Sequence, residues 1–194
     1  MAEKNGIVIM EKPESISFQA VSEVLRKAHE KLRADGVYMR VPFLTPDELE
    51  QWVGEDGTCF VAMDGDKLVG TSALVIREFH RWYYKGKVPE LTMQAVLPSH
   101  QGMHIFTDLN RVCEEAAAKS GYTAIYFDTA EANRHRIRLG KKEGFVLVDY
   151  FWHSDHYSVG MMKWMGKNPF SKPYFAIRFG IKKLYVKTRR ITGK

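Results

Sequence analysis

The sequence predicts an α/β domain built around a mixed, mostly antiparallel sheet. Short apolar runs typical of strands alternate along the chain with segments whose apolar residues recur at helical spacing. An Asp-Gly dipeptide at Asp64-Gly65 separates two of the apolar runs and predicts a tight antiparallel hairpin. A strand–helix–strand succession over residues 90–128 predicts one parallel pair within the same sheet.

The first half of the chain is predicted to contain three strands and two helices. The first strand is a β-branched run, and the first helix has apolar residues at helical spacing as far as Asp35-Gly36. Thr45 has the position of an N-cap, with Pro46 as the first helical residue, so a second helix begins there. The expected elements are strand 6–10, helix 17–33, the helix from Thr45, strand 58–63 and strand 67–76, which allows an extension to Phe79.

The second half is predicted to contain two helices among four strands. Gly121 follows the first of these helices and Gly144 the second, and glycine is the residue that most often ends a helix. The expected elements are strand 90–97, helix 105–120, strand 124–128, helix 133–143, strand 145–152 and strand 158–164. The whole order is therefore β, α, α, β, β, β, α, β, α, β, β.

Composition limits the class of protein. With 194 residues, of which 45% are hydrophobic and 12% aromatic, the chain can form one substantial core. Cys59 and Cys113 lie in apolar segments without metal-type spacing, which favours a reducing compartment. We expect no metal site, since His153 and His156 around Asp155 share only one short spacing. No apolar run suits a signal peptide or a membrane span, so we expect a cytoplasmic protein.

The net charge of +6 is concentrated at the C-terminal end. Residues 166–194 contain nine Lys or Arg and no acidic residue, whereas residues 1–165 contain 20 basic and 23 acidic residues, a balance of −3. The chain therefore divides into a mildly acidic domain, 1–165, and a basic, aromatic-rich extension, 166–194.

The extension permits several interpretations. Its apolar residues recur at mixed helical spacing, which favours a helix packed on its own domain, or on a second subunit of a homodimer, with the cations turned outward. Binding to nucleic acid or to an anionic membrane surface are the alternatives that its cations allow.

A potential anion site lies where strand 90–97 meets helix 105–120. The strand ends at Pro98, and Gln101-Gly102 leads almost directly into the helix. The first turn of a helix has unpaired N–H groups and the positive end of the helix dipole. This junction is therefore expected to bind an anion, and a phosphate group is a typical occupant.

This junction and the element order resemble those of the GCN5-related N-acetyltransferases, the GNAT family. In that family a Val-x-Pro strand end leads into a Gln/Arg-x-x-Gly-x-Gly/Ala loop, and here Val96, Pro98, Gln101 and Gly102 stand in the expected region. The loop pattern begins at Gln101 in the most natural register, and an alternative register that begins at Ser99 keeps Gly102 but still puts His104 in the second glycine position. The resemblance implies a GNAT-like sheet with flanking helices over residues 6–164. It also implies acetyl-CoA as the acyl donor.

A second motif of the family, Asn-x-x-Ala-x-x-Leu-Tyr-x-x-x-Gly-Phe, resembles residues 133–145. Asn133, Leu139 and Gly144-Phe145 match in spacing, 32 residues after the first motif counted from Gln101. The resemblance implies that the backbone of residues 94–96 pairs with the pantetheine arm and thioester, although an ordinary buried strand is the alternative. The implied cofactor-binding residues are Gln94, Ala95, Val96, Gln101, Gly102, Met103, His104, Ile105, Phe106, Thr107 and Asn133.

Three positions depart from the family pattern. His104 and Phe106 stand where the loop usually has small residues, so their side chains must point away from a bound pyrophosphate. Gly140 stands where many relatives have a tyrosine that protonates the departing thiolate. No general acid is therefore predicted at that position.

Two carboxylates are candidates for the base that takes a proton from an incoming ammonium. Glu90 opens the central strand and, by simple alternation, shares a face with Thr92, Gln94 and Val96. Asp128 ends the next strand, where some relatives have their base. Each carboxylate has the alternative role of a solvated strand end. Three hydroxyls, those of Tyr126, Tyr150 and Tyr157, are candidate acids, with core or rim roles favoured.

The sequence thus predicts an acetyl-CoA-dependent N-acetyltransferase that transfers an acetyl group directly to an amine of a small molecule or peptide. The aromatic segment 79–85 is predicted either to border the acceptor site or to cover the sheet as a hairpin. Two alternative functions remain: a degenerate, non-catalytic CoA-binding or regulatory module, and an RNA-directed acetyltransferase that uses the basic extension.

Overall fold

The computed structural model describes residues 2–4, 6–153, 155–166 and 172–192. It contains one eight-stranded sheet in the order β1-β2-β3-β4-β5-β6-β8-β7, in which only β5 and β6 pair in parallel. The strands are β1 Ala2–Lys4, β2 Ile7–Glu11, β3 Thr58–Asp64, β4 Lys67–Arg81, β5 Tyr84–Val96, β6 Ala124–Ala130, β7 Val146–Trp152 and β8 Tyr157–Trp164. The helices are α1 Phe18–Ala34, α2 Pro46–Val53, α3 Ile105–Lys119, α4 Arg134–Lys142 and α5 Lys172–Thr192. The predicted fold class, mixed and mostly antiparallel with a parallel strand–helix–strand core, is confirmed.

Local signals explain where the helices begin. The Ser17 side chain accepts a hydrogen bond from the Ala20 N–H and caps α1. Thr45 and Glu48 form a reciprocal capping box at the start of α2. These contacts depend on residues only three apart, which is why the sequence predicts both helix starts correctly.

Helices cover both faces of the sheet. The Cys113 thiol of α3 donates to the Ser72 hydroxyl, whereas Arg77 lies over the Trp52 ring of α2. Because successive side chains of β4 alternate between faces, α2 and α3 lie on opposite sides. Helix α1 packs on α2, and Arg136 of α4 hydrogen-bonds the same Gln94 side chain that contacts α3. The layers are therefore α1 with α2, the sheet, and α3 with α4.

The hairpin between β4 and β5 is longer than predicted. Strand β5 begins at Tyr84, six residues before the predicted start at Glu90, and the aromatic segment 79–85 forms the closed end of the hairpin. The Phe79 ring contacts Tyr126 with centroids 4.7 Å apart. Phe79, Tyr83 and Tyr84 pack in a hydrophobic cluster, so these aromatic side chains cover the sheet, as the second of the two interpretations predicted.

An irregularity in β5 corrects the predicted alternation of its side chains. Thr92 pairs with Ala73 and Ala95 pairs with Thr71, so β5 has one residue more than β4 across this interval. Met93 lies in this bulge with φ +51°. The prediction that Gln94 and Val96 share a face with Glu90 is therefore wrong.

Helix α5 packs along β7, and its orientation differs from the prediction. Lys182 lies 3.4 Å from the Asp149 carboxylate, and Lys183 forms an ion pair with Glu131. The Arg190 guanidinium lies 3.5 Å from the Trp152 ring centroid. These cations face the domain, so the expectation that they point outward is wrong. No helix among the described residues has the length and apolar character needed to cross a membrane.

Candidate active site

Strands β5 and β6 form a very short parallel ladder. Their register contains a single pair, Glu90 with Tyr126. Beyond it β5 continues through Gln94, Ala95 and Val96, which pair with no residue of β6. An open edge between two parallel strands leaves backbone groups available for an extended ligand. This opening begins beside Glu90 and leads toward the start of α3.

The start of α3 presents six backbone N–H groups without acceptors among the described residues. They belong to residues 102–107, and α3 has no side-chain N-cap. Gly102 has φ +84° and adds no side chain to the junction. The side-chain amide of Gln101 donates a hydrogen bond to the Val96 carbonyl at 3.5 Å. Consecutive free N–H groups at a helix start are the usual protein site for a phosphate group.

The two bulky residues in this loop do not fill the junction with a buried ring. His104 is exposed, and its backbone takes the left-handed conformation, φ +63°, that glycine adopts without strain. The Phe106 ring packs against the hydrophobic core, with the Arg136 guanidinium 5.1 Å from its centroid. The backbone at residue 104 thus keeps a shape suited to glycine despite the histidine side chain.

Replacing His104 with glycine is expected to raise the free energy of unfolding by ~0.5–1 kcal/mol, because a strained left-handed residue is relieved. Urea denaturation measures this change. Gln101→Gly is the matched control, since φ is −66° there and glycine only adds freedom to the unfolded chain. Stabilisation by the control, or destabilisation by His104→Gly, would contradict the strain at residue 104.

A cavity of about 510 Å³ lies on the α1/α2 face, beside the opening between β5 and β6. It has the size of a small-molecule site. Its wall includes Leu25, His29, Tyr38, Met39, Trp52, Arg77, Glu90, Asp128, His153 and His156. None of the residues in the aromatic segment 79–85 contributes, so the aromatic wall comes from Tyr38 and Trp52 instead.

Asp128 is the carboxylate best suited to accept a proton. Asp128 is exposed at the cavity wall, and its carboxylate accepts no hydrogen bond from a described residue. Loss of water contacts raises the pKa of Asp128 to about 7, and the negative charge of Glu90 adds to the shift. A carboxyl group with this pKa holds and releases protons near neutrality.

The Glu90 carboxylate, in contrast, forms an ion pair. Its carboxylate accepts a 2.8 Å hydrogen bond from Nε of Arg77. This ion pair occupies the Glu90 carboxylate, whereas the Asp128 carboxylate accepts no hydrogen bond from a described residue. The arrangement favours Asp128 as the base and Glu90 as the charge that tunes it.

Gly140 leaves no space for the tyrosine that relatives have there. A Cβ atom at Gly140 would lie 2.8 Å from Cζ of Phe127, whose ring is fully buried. The Arg136 guanidinium covers the same ring at 3.6 Å, and Phe145 packs at 4.9 Å. The Phe127 ring is thus held in place and occupies the volume beside α4.

Gly140→Ala is expected to lower the free energy of unfolding by ~1–2 kcal/mol, because crowding at Phe127 outweighs the better helix propensity of alanine. Gly180→Ala in α5 is the matched control. No atom lies within 4 Å of a Cβ there, so alanine should raise the free energy of unfolding by ~0.5–1 kcal/mol. Thermal unfolding of both variants distinguishes crowding from helix propensity; equal effects would contradict the packing argument.

A buried polar network, which sequence reasoning missed, joins β5, α3 and α4. Arg136 donates from Nε to the Gln94 side chain at 3.1 Å and lies 3.5 Å from Glu143. Asn110 links Gln94 to Glu143. Burial lowers the pKa of Arg136 to about 10, while Glu143 opposes the shift. The only available signal was an arginine at the alanine position of the second motif.

The remaining predicted site residues have structural partners. The Asn133 side chain caps α4 by accepting from the Arg136 N–H, and its amide donates to Thr129. Tyr150 donates to Glu131 at 2.7 Å, and Tyr157 stacks on Tyr150. Burial raises the pKa of Tyr126 well above its usual value. None of these contacts assigns a proton-donating role to the tyrosines.

Strands β5 and β6 separate beyond their single pair, and β5 leads into α3, which has no side-chain N-cap. This is the architecture of the acyltransferase class that the two sequence motifs indicate. A family model described as the acetyltransferase (GNAT) family matches residues 19–145. Since this match covers more than half of the chain, the chain belongs to the GNAT acetyltransferase family.

Solved structures show the same fold. An acetyltransferase from Streptococcus agalactiae 2603 is similar, with TM-score 0.64 and 18% identity over 84% of this chain and 100% of that one. An aminoglycoside 6'-N-acetyltransferase complexed with coenzyme A has TM-score 0.62 and 19% identity, over 84% and 99%. A GNAT acetyltransferase from Elizabethkingia anophelis with acetyl-CoA bound has TM-score 0.59 and 15% identity, over 84% and 100%. A comparison with curated protein sequences gave no match.

Proposed function

We propose that this protein is an N-acetyltransferase that uses acetyl-CoA and transfers the acetyl group directly to an amine of a small molecule or peptide. The observation that carries this proposal is the row of six free N–H groups at residues 102–107, beside the opening between β5 and β6. Such a row suits a pyrophosphate, and the opening suits an extended arm that ends near Glu90. Membership of the GNAT family supports the same donor.

The cavity supports an amine as acceptor. An ammonium group that enters it meets the Asp128 carboxylate, which takes one proton and leaves a neutral amine. The amine nitrogen then bonds to the thioester carbonyl carbon and loses its second proton to water, the carbon–sulfur bond breaks, and the thiolate takes a proton from water. Holding both reactants at the junction of β5 and β6 supplies much of the rate acceleration.

Titration calorimetry with acetyl-CoA tests the donor, and thiol release with a panel of small and peptidic amines tests the reaction. We expect binding together with amine-dependent thiol release. No heat at about 1 mM acetyl-CoA, a concentration that detects affinities as weak as ~4 kcal/mol, would overturn the proposal. Binding without thiol release from any amine would favour the non-catalytic CoA-binding module, for which the packed Gly140 position is the supporting feature.

A further inference from the structure

Helix α5 presents an apolar stripe to solvent. Ile177, Ile181, Leu184 and Tyr185 are between 55% and 70% exposed. Their spacing of four, three and one residues places them on one face of the helix. At the N-terminal end of α5, Tyr174 is 39% exposed. Counted from Tyr174 to Tyr185, the stripe runs about 17 Å along the helix, from the rise of 1.5 Å per residue.

The opposite face of α5 carries the cations and contacts an acidic part of the domain. Lys182 pairs with Asp149, and both Lys183 and Lys187 lie close to Glu131. Phe175 is buried in a hydrophobic cluster beneath the helix. The helix is therefore anchored to the domain by its polar face, which leaves its apolar face outward. Soluble helices normally have the reverse orientation.

We propose that this apolar stripe docks the protein on an anionic lipid surface. Helix α5 contains seven Lys or Arg and no Asp or Glu. A helix with one apolar face and a strongly cationic remainder is the usual form of an interfacial membrane helix. The stripe enters the boundary between headgroups and acyl chains, and the domain stays on the aqueous side. Arg178 and Arg189, which lie against Tyr174 and Tyr185 at the edge of the stripe, contact lipid phosphates.

Charge argues against a second copy of the chain as the occupant of the stripe. Arg178 and Arg189 lie against the Tyr174 and Tyr185 rings at the edge of the stripe, so two α5 helices packed stripe to stripe would bring these arginines of both chains close together without an acidic residue on either helix. Such an arrangement is repulsive at moderate salt. An anionic surface instead attracts each Lys or Arg near it.

Nucleic acid fits the exposed face less well. The centre of the stripe is aliphatic, consisting of Ile177, Ile181 and Leu184. Single-stranded nucleic acid is bound by aromatic stacking and by cations in a groove, neither of which aliphatic side chains provide.

Vesicle flotation with the full chain tests the proposal. We expect binding to vesicles of phosphatidylcholine and phosphatidylglycerol in equal amounts and none to phosphatidylcholine alone. The Ile181→Ser/Leu184→Ser variant should bind the anionic vesicles about tenfold or more weakly, because two apolar side chains no longer enter the lipid. Both residues are exposed, so the thermal midpoint should stay unchanged. Phe43→Ser, which removes an exposed apolar side chain outside α5, is the matched control and should bind as the wild type does.

Three results would overturn the proposal. The first is absence of wild-type binding to anionic vesicles at ~0.15 M salt. The second is equal binding by the wild type and the Ile181→Ser/Leu184→Ser variant. The third is a dimer in light scattering that this variant dissociates while vesicle binding is absent, which would assign the stripe to a second copy. Salt-sensitive retention of RNA without vesicle binding would favour nucleic acid instead.

Discussion

Asp128→Asn is expected to lower kcat/KM with any amine acceptor by about 100-fold or more, since a positioned general base contributes at least that much. The asparagine side chain has nearly the same size and cannot take a proton. Steady-state thiol release across a pH series measures the effect. Retained acetyl-CoA affinity in the variant would show that the loss lies in the chemistry.

The dependence of kcat/KM on pH tests the same role of Asp128 more specifically. The pKa of Asp128 is raised to about 7, so its carboxylate forms only as the pH rises through that value. Wild-type kcat/KM should therefore rise from the acidic side with a midpoint near 7, and this limb should be absent in Asp128→Asn.

Glu90→Gln is the informative control for this assignment. Removing the charge of Glu90 removes one of the causes that raise the pKa of Asp128, and it leaves Arg77 unpaired nearby. The acidic limb should then move to lower pH while most activity remains. Loss of activity in Glu90→Gln together with normal activity in Asp128→Asn would assign the base to Glu90 instead.

The pH dependence of the free energy of unfolding should also reflect the raised pKa of Asp128. Between about 3.8 and about 7 the folded protein holds a proton on Asp128 that the unfolded chain releases, so this group's contribution to stability falls as the pH rises through that window. Asp128→Asn should thus gain stability relative to the wild type as the pH increases. Urea unfolding at acidic and alkaline pH measures this difference; a constant difference would contradict the raised pKa.

The second large effect is expected for Gly102→Val, which should weaken acetyl-CoA binding about tenfold or more, a loss of ~1.4 kcal/mol. Gly102 has φ +84°, and a branched side chain there strains the loop and obstructs the N–H groups of residues 102–107. Titration calorimetry measures the dissociation constant.

Gly121→Val provides the matched control at the other end of the same helix. Gly121 has φ +82°, and like Gly102 it has no atom within 4 Å of a Cβ. Both variants should lose similar stability, but only Gly102→Val should lose affinity. Equal affinity losses would show that the effect spreads through α3 and that no phosphate site exists at its start.

Much of the fold could be predicted because its signals are local. The capping residues Ser17 and Thr45 act within one helical turn, and the Asp-Gly turn sets the hairpin between β3 and β4. The junction from Pro98 to Ile105 is likewise one continuous segment, so its free N–H groups follow from the order of strand and helix.

Side-chain direction in β5 and α5 could not be predicted. The bulge at Met93 reverses the alternation after Thr92, and nothing in the local sequence of β5 indicates an extra residue relative to β4. In α5 the periodicity marks two faces but not which one contacts the domain. That choice depends on Asp149 and Glu131, which are remote in sequence and meet the cations of the helix.

The sequence by itself determined the order of elements, the family motifs and the place of the proposed anion site, because each depends on neighbours along the chain. Only the tertiary structure brings Arg77 of the adjacent strand onto Glu90 and places Asp128 beside them at the cavity wall. These residues are far apart in sequence, so only folding brings them together, and their arrangement is the reason we propose Asp128 as the base.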